Sequence, residues 1–404
     1  MKIAAPARLP NTLPAPDTAY PEPVPGRGST HRRPSVGRRA TAVVPVALLA
    51  ALVSACGAEA PQSAPTTVRP PEGSGQPVRI AFGGDASFEG LGSAIEADPT
   101  GVITGIAPLL RDADVTVVNL EAALGEAGSP VPKGFNFRVP AAVTETLADA
   151  GVDVVSMANN HGLDYGQEGL EESLRIEEVT GFPVIGVGRN DAEAYEPFTT
   201  EVAGQRIGVL AASDVIDSEL RSSWIATPEQ PGLASAEEPE QERLAREVAA
   251  LREQVDTLVV YLHYGLEKEV CPNDRQRELV DLVLAAGADI VVGTHAHRLQ
   301  GLGYLGDRFV AYGLGNFIFA APSEAGRASG VLVVTATGRR IDGYEWLPAR
   351  IGDGVPEPLT GDAADEAAAL MDERRECAGL STAATPTPDT TPEPGDQDTG
   401  EAGT

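Results

Sequence analysis

The sequence predicts an α/β protein built on buried, mixed β-sheets. Three observations carry that prediction. Short apolar, β-branched runs alternate with Ala/Leu/Glu-rich stretches of helical length, the pattern of buried strands covered by helices. In the last third, strand-like runs follow one another with little helix between them, which adds an antiparallel section. An apolar fraction of 42% over 404 residues is enough for a sizeable core, so wholesale disorder is excluded.

In chain order, the first element is a leader. Residues 1–55 carry seven basic residues and two acidic ones, a net of +5. Arg38-Arg39 precede an uncharged run at 40–58 with an apolar centre, and a positive flank, an apolar stretch and small residues are the parts of a secretory signal. The run ends Leu52-Val53-Ser54-Ala55-Cys56, which resembles the bacterial lipoprotein box. That resemblance implies cleavage before Cys56 and a diacylglyceryl group on its thiol, enough for stable anchoring on the outer, extracytoplasmic face of a membrane. An uncleaved membrane anchor is the alternative; Pro45 and the clustered small residues count against it. The lead-in is long for a signal, so a start at Val24 or Val36 is also open.

Residues 56–77 read as a Pro/Ser-rich tether and 381–404 as a tail with four Pro, five acidic residues and no basic one, expected to be disordered. The folded domain should span 78–380. Without the leader the chain holds 23 basic against 57 acidic residues, a net of −34. That balance argues against nucleic acid as a partner, since phosphate backbones would be repelled. Three Cys are too few for a disulfide scaffold. With Cys56 acylated, Cys271 and Cys377 remain as a candidate disulfide in an oxidising compartment, two free thiols being the alternative.

Within the domain, strands are expected at 79–83, 115–119, 152–157, 184–187, 207–211, 257–262, 290–293, 309–312 and 331–335. Helices are expected at 141–150, 168–178, 238–254 and 275–286. Five of the strands run straight into polar residues: Asp85, Glu121, Asn159-Asn160-His161, His263, and His295 with His297. Ligands of open α/β sheets gather beyond the carboxyl ends of strands. Carboxylate, imidazole and amide oxygen together form a donor set for divalent cations that share a bridging carboxylate. A single His is more often structural. Here only His31 lies in the leader, so all four His of the domain sit at strand ends beside two acids, and they point to one shared site. Asp164, Gly166, Gly313, Gly315 and Asn316 are expected to serve turns.

Seven blocks then occur in order: Gly84-Asp85; Asn119-Leu120-Glu121; Asn136-Phe137-Arg138; Ala158-Asn159-Asn160-His161-Gly162-Leu163-Asp164-Tyr165-Gly166; His263-Tyr264-Gly265-Leu266-Glu267; Gly293-Thr294-His295-Ala296-His297-Arg298-Leu299-Gln300; and Tyr312-Gly313-Leu314-Gly315-Asn316-Phe317. Over about residues 78–350 they resemble the bacterial capsule-synthesis CapA family, associated with poly-gamma-glutamate and related to the calcineurin-like metallophosphoesterases. The resemblance implies a four-layer α/β/β/α sandwich of two mixed sheets. It implies that Asp85 and His297 bind one metal, that Glu121 bridges, and that Asn160, His263 and His295 bind a second. His161 becomes the general acid, or a donor to a bound oxyanion. Arg138 and Arg298 become candidates to steady an anionic substrate, because guanidinium suits phosphate or carboxylate; packing arginines are the equal alternative.

The chain also departs from the metallophosphoesterase pattern. Asp85-Ala86-Ser87 stands where Asp-x-His is usual, so one ligand of the first metal is missing. One or two divalent cations are therefore expected, and Mn, Fe, Zn and Mg are not distinguished by these ligands. Two functions follow. One is a metal-dependent hydrolase acting on a phosphoester or on an anionic envelope polymer such as poly-gamma-glutamate, alongside membrane-bound polymer synthase components. The other is a non-catalytic capsule component that keeps the site to bind polymer or partner proteins. Because a −34 protein repels free polyglutamate, polymer binding would need a local cationic cleft made by the metal with Arg138 or Arg298.

Overall fold

A computed structural model describes residues 75–385. The leader with His31, the lipidation candidate Cys56, the tether up to residue 74 and the tail from residue 386 lie outside the described residues. Strand Val78–Ala86 lies inside an eight-stranded sheet. On one side it pairs in parallel with Val115–Leu120, followed by Val154–Ser156 and Val184–Ile185, also parallel. On the other side come Ala328–Thr337, Arg340–Ile351 and Pro356–Pro358, all antiparallel. The short strand Asn316–Ile318 pairs in parallel with the end of Val78–Ala86.

The second sheet has six strands in the order Leu302–Leu305, Arg308–Ala311, Ile290–His295, Thr257–Tyr264, Gln205–Ser213 and Phe198–Val202. Its four inner strands are parallel and both edges antiparallel. Both sheets are mixed, as the sequence predicts.

Alternation along each strand builds the layers. Ile80, Phe82, Val115 and Val117 of the first sheet meet Val209, Val259, Tyr261 and Val292 of the second in one buried cluster. The intervening side chains face outward under helices. Ala81 and Val118 pack with Leu147 and Leu170 from Val143–Asp149 and Gly166–Thr180. Leu210 and Val260 pack with Leu244, Val248, Leu279 and Val283 from Gln241–Arg252 and Asp274–Ala286. This is the four-layer α/β/β/α sandwich. Each buried Val, Leu, Ile or Phe among them contributes about 1.5–3 kcal/mol by leaving water, and Tyr261 ties the sheets by donating from Oη to the Gly83 carbonyl at 2.6 Å. Among the described residues, no helix is long and apolar enough to cross a membrane.

Elements beyond those expected include the strand Arg340–Ile351 and several short helices, and three further features differ from expectation. The strand expected at 184–187 breaks at Gly186, whose φ is +83° and whose missing Cβ would meet Ala158 at 2.4 Å; Val187–Gly188 then pairs with Gly232–Leu233 instead. Helix Asp362–Ala378 lies beyond the four expected helices: its fully buried side chains are Met371 and Ala378, so it carries little apolar periodicity. The expected disordered tail begins as ordered chain. Ser381 exchanges backbone hydrogen bonds with Tyr304, and Thr385 N donates to the Gly306 carbonyl.

Candidate metal centre

The parallel strands of both sheets deliver polar residues at their carboxyl ends. Register places them side by side: Asp85 lies opposite Asn119, His263 opposite Thr294, and Tyr264 opposite His295. Gly84 makes the approach to the neighbouring loop possible, since a Cβ there would sit 2.0 Å from the Gly315 carbonyl oxygen, which accepts from Asp85 N.

Two donor groups result, Asp85–Glu121–His297 and Glu121–His263–His295, each with ligand atoms within 4.8 Å of one another. Glu121 belongs to both. Its Oε1 is 3.5 Å from His263 Nε2 and 3.8 Å from His297 Nε2. His297 Nδ1 lies 3.4 Å from Asp85 Oδ2, and Asn160 Oδ1 lies 2.7 Å from His263 Nε2. Asn160 therefore joins the second group through its amide oxygen.

The residues present fit a divalent cation on one decisive observation. Glu121 is fully buried, and neither of its carboxylate oxygens has a hydrogen-bond partner. A buried ionised carboxylate without a donor costs several kcal/mol unless it is paired or coordinates a metal. Protein groups alone respond by moving protons. Burial, then the charge of Asp85, pushes the Glu121 carboxyl well above its usual range. Burial opposes a charge on His297, yet Glu121 and Asp85 outweigh it and raise that imidazole to about 10. Burial, then neighbouring imidazoles, holds His263 well below its usual value and His295 down at about 4. His263 and His295 are thus neutral, the form in which imidazole coordinates metal.

Surrounding bonds set each ligand. Asn119 Nδ2 donates to Asp85 Oδ1 at 2.8 Å and lies 3.2 Å from His263 Nδ1, where Thr294 Oγ1 is 3.1 Å away. That leaves His263 Nε2 turned to Glu121. Asn316 Oδ1 is 2.8 Å from His297 Nδ1. His295 and His297 both have left-handed backbones, with φ of 86° and 52°, a strain of about 1–3 kcal/mol each. Three bonds hold them there: His295 N to Asp85 Oδ2 at 3.1 Å, Lys268 N to the Ala296 carbonyl at 2.8 Å, and Arg298 Nη1 to the His297 carbonyl at 2.6 Å.

His161 stands beside this cluster on its own bracket. Its N donates to Asn159 Oδ1, and Asn159 Nδ2 donates to Asn119 Oδ1 and the Leu120 carbonyl. Its Nδ1 lies 2.6 Å from Asp164 Oδ2, while Lys133 Nζ donates to Asp164 Oδ1 at 2.8 Å and to the Asn160 carbonyl. Burial lowers the His161 pKa and the Asp164 bond opposes that. The arrangement leaves Nε2 as the nitrogen that can exchange a proton.

Asp85, Glu121, Asn160, His263, His295 and His297 are therefore gathered in one place, with His161 adjacent. Arg138 Nη2 donates to the Ala127 carbonyl at 2.7 Å, and the guanidinium lies 3.4 Å over the Tyr165 ring centroid, while its Nε has no hydrogen-bond partner. Arg298 grips the His297 carbonyl. Asp164 and Asn316, expected to serve turns, instead orient His161 and His297. Asn119, Asn159 and Lys133 have roles that sequence reasoning misses. The asparagines flank the ligands inside the quoted blocks, a usable signal, whereas nothing local marks Lys133. Cys271 and Cys377 form a disulfide with Cα atoms 5.7 Å apart.

Residues 79–321 match the model of the bacterial capsule synthesis protein PGA_cap family. The chain is similar to the capsule biosynthesis protein CapA of Bacillus anthracis, 26% identical over 267 residues, covering 64% of this chain and 63% of the relative. It is similar also to the PGA biosynthesis protein CapA of Bacillus subtilis, 28% identical over 265 residues, covering 64% and 67%. Among solved structures it resembles a hypothetical protein from Thermus thermophilus, with a TM-score of 0.41, 16% identity and coverage of 68% and 100%. Another is the sulfate thiohydrolase SoxB of Thermus thermophilus in complex with glycerol, with a TM-score of 0.39, 12% identity and coverage of 76% and 61%.

Proposed function

The chain belongs to the bacterial capsule synthesis protein PGA_cap family, and from that premise we propose that it is an extracytoplasmic lipoprotein whose domain works in the synthesis, export or anchoring of an anionic envelope polymer of the poly-gamma-glutamate type through a divalent-metal, hydrolase-type site. Supporting this reading above all is Glu121, a fully buried carboxylate shared by two ligand groups and bonded to nothing else.

Asp85, Glu121 and His297 would hold one cation; Glu121, Asn160, His263 and His295 would hold the other. Divalent cations held there would supply Lewis acidity toward a phosphoester or acyl group. The protein's own contribution is positional. Asp164 fixes the His161 ring through Nδ1, so that Nε2 can pass a proton to the departing oxygen or nitrogen as water adds across the scissile bond. Asn119 and Asn316 fix the ligand imidazoles, as outer hydrogen bonds to metal ligands do.

A second reading, a polymer- or partner-binding component without turnover, draws support from the group Asp85–Glu121–His297. Ser87 stands where a further His would complete it, and its Oγ is 3.4 Å from Glu89 N. Metal analysis of the purified protein after chelator-free preparation, with a hydrolysis screen on phosphodiesters and gamma-glutamyl polymers and His295→Ala in parallel, decides between them. Metal with turnover lost in the variant supports the hydrolase. Metal without turnover supports the binding component, and no metal contradicts both. For the anchor, an unmodified peptide crossing Ala55-Cys56 in the mature protein would contradict lipidation.

A further inference from the structure

Beside the metal ligands and His161 stands an aromatic wall that the proposed chemistry does not use. The Phe137 ring centroid is 4.4 Å from that of His161 and 5.7 Å from that of Phe319. Phe319 in turn lies 4.9 Å from the ring of His297. The two phenyl rings thus link the ring of His161 to that of the candidate ligand His297. Both are half-buried; Phe137 rests by one side on the core of the first sheet. Two positions before Phe137, Phe135 is 73% exposed.

The wall is locked to the acid. Asp164 Oδ2 accepts from Phe137 N at 2.6 Å and lies 2.6 Å from His161 Nδ1. The same carboxylate takes the Lys133 ammonium on Oδ1, and the Asp164 backbone carbonyl accepts from Asn136 Nδ2 at 3.2 Å. One side chain therefore sets both where a leaving group is protonated and what flanks it. Phe319 comes from another segment and is fixed by its N–H to the Gly354 carbonyl.

From this geometry we infer that Phe137 and Phe319 form an apolar subsite for the group adjoining the scissile bond, so that the site selects anionic substrates carrying a hydrocarbon stretch or ring next to the reacting phosphoryl or acyl centre, over small fully polar anions. The inference rests on the metal-centre reading. It adds the specificity: the cations and His161 engage the reacting atoms, and the phenyl rings bury the methylene or aromatic portion beside them. Burial of apolar surface and offset or edge contact with an aromatic ring supply the preference.

The test uses two non-hydrolysable probes, phenylphosphonate and methylphosphonate, titrated calorimetrically into the purified protein loaded with Mn2+ and, in parallel, Zn2+. Phenylphosphonate is expected to bind about 10-fold more tightly. Phe319→Ala and Phe137→Ala, each on a different segment, should reduce that ratio to about 3-fold or less while the metal content stays as in the unmodified protein. Equal affinities for the two probes, or a ratio unchanged in both variants, overturn the subsite and leave the metal centre standing. So does metal-loaded protein that binds neither probe. Failure to take up either cation overturns the metal centre and the subsite with it.

Discussion

The strand Ile290–His295 has a buried ionic cluster at each end, and the two are resolved in opposite ways. Just before its start, the fully buried Asp289 is surrounded by three guanidiniums. It accepts from Arg252 Nη1, from Arg308 Nη1 at 2.6 Å, from Arg339 Nε at 3.3 Å and from Leu258 N at 2.9 Å. Arg252 also donates to the carbonyls of Val255 and Asp256. Every charge there has a partner within the protein. At the other end, beyond His295, the Glu121 carboxylate accepts no hydrogen bond, and its imidazole neighbours are His263 Nε2 at 3.5 Å and His297 Nε2 at 3.8 Å. Both carboxylates are equally buried, so depth does not separate them. Compensation does: the first cluster is satisfied by hydrogen bonds from the protein, and the second is not, which is what the proposed cation would complete.

The comparison can be broken from either end. The largest effect is expected at the compensated end. Asp289→Ala strands partly buried arginines and should cost about 3–5 kcal/mol in urea unfolding, while the folded fraction keeps its metal content. Loss of metal without loss of stability would reverse the two roles. Next comes chelation of the unmodified protein. Removing an ion that binds only the native state should lower stability by about 2–4 kcal/mol at metal concentrations 100- to 1,000-fold above Kd, read as a fall in Tm restored by adding metal back. Smaller again is the metal effect of Asn316→Ala: freed from its bond to Asn316, His297 should hold its cation about 10-fold more weakly in a metal titration, while loss of the Asn316 Nδ2 bond to the Gly326 carbonyl costs about 1–3 kcal/mol in metal-free and metal-bound protein alike.

How far the sequence reveals this contrast depends on distance along the chain. The layers are legible because each buried strand is a local run: alternation at Val209–Leu210 or Val259–Val260 sends neighbours to opposite faces, and helices of ordinary length lie between. Glu121, His263 and His295 are legible as neighbours for the same reason, since each ends a parallel strand and parallel strands end on one side. Partners supplied by loops are hidden. Lys133 reaches Asp164 across 31 residues, in a Pro/Gly-rich stretch with no periodicity. Arg138 lies in a quoted block, yet its destination is set by the Tyr165 ring and the Ala127 carbonyl, which no spacing rule reports. Asp289 reads simply as a residue before a strand, because its three arginines come from three other segments. Helix Asp362–Ala378 escapes because its burial is confined to so few positions.

The central claim is that Glu121 carries its charge for an ion. The direct measurement is metal stoichiometry together with urea unfolding for the unmodified protein and Glu121→Gln, both prepared without chelator. Glutamine keeps the shape and removes the charge shared by both ligand groups. The account predicts bound metal in the unmodified protein, none in the variant, and a variant as stable as chelated unmodified protein. Equal metal content in the two, or none in the unmodified protein, would contradict it.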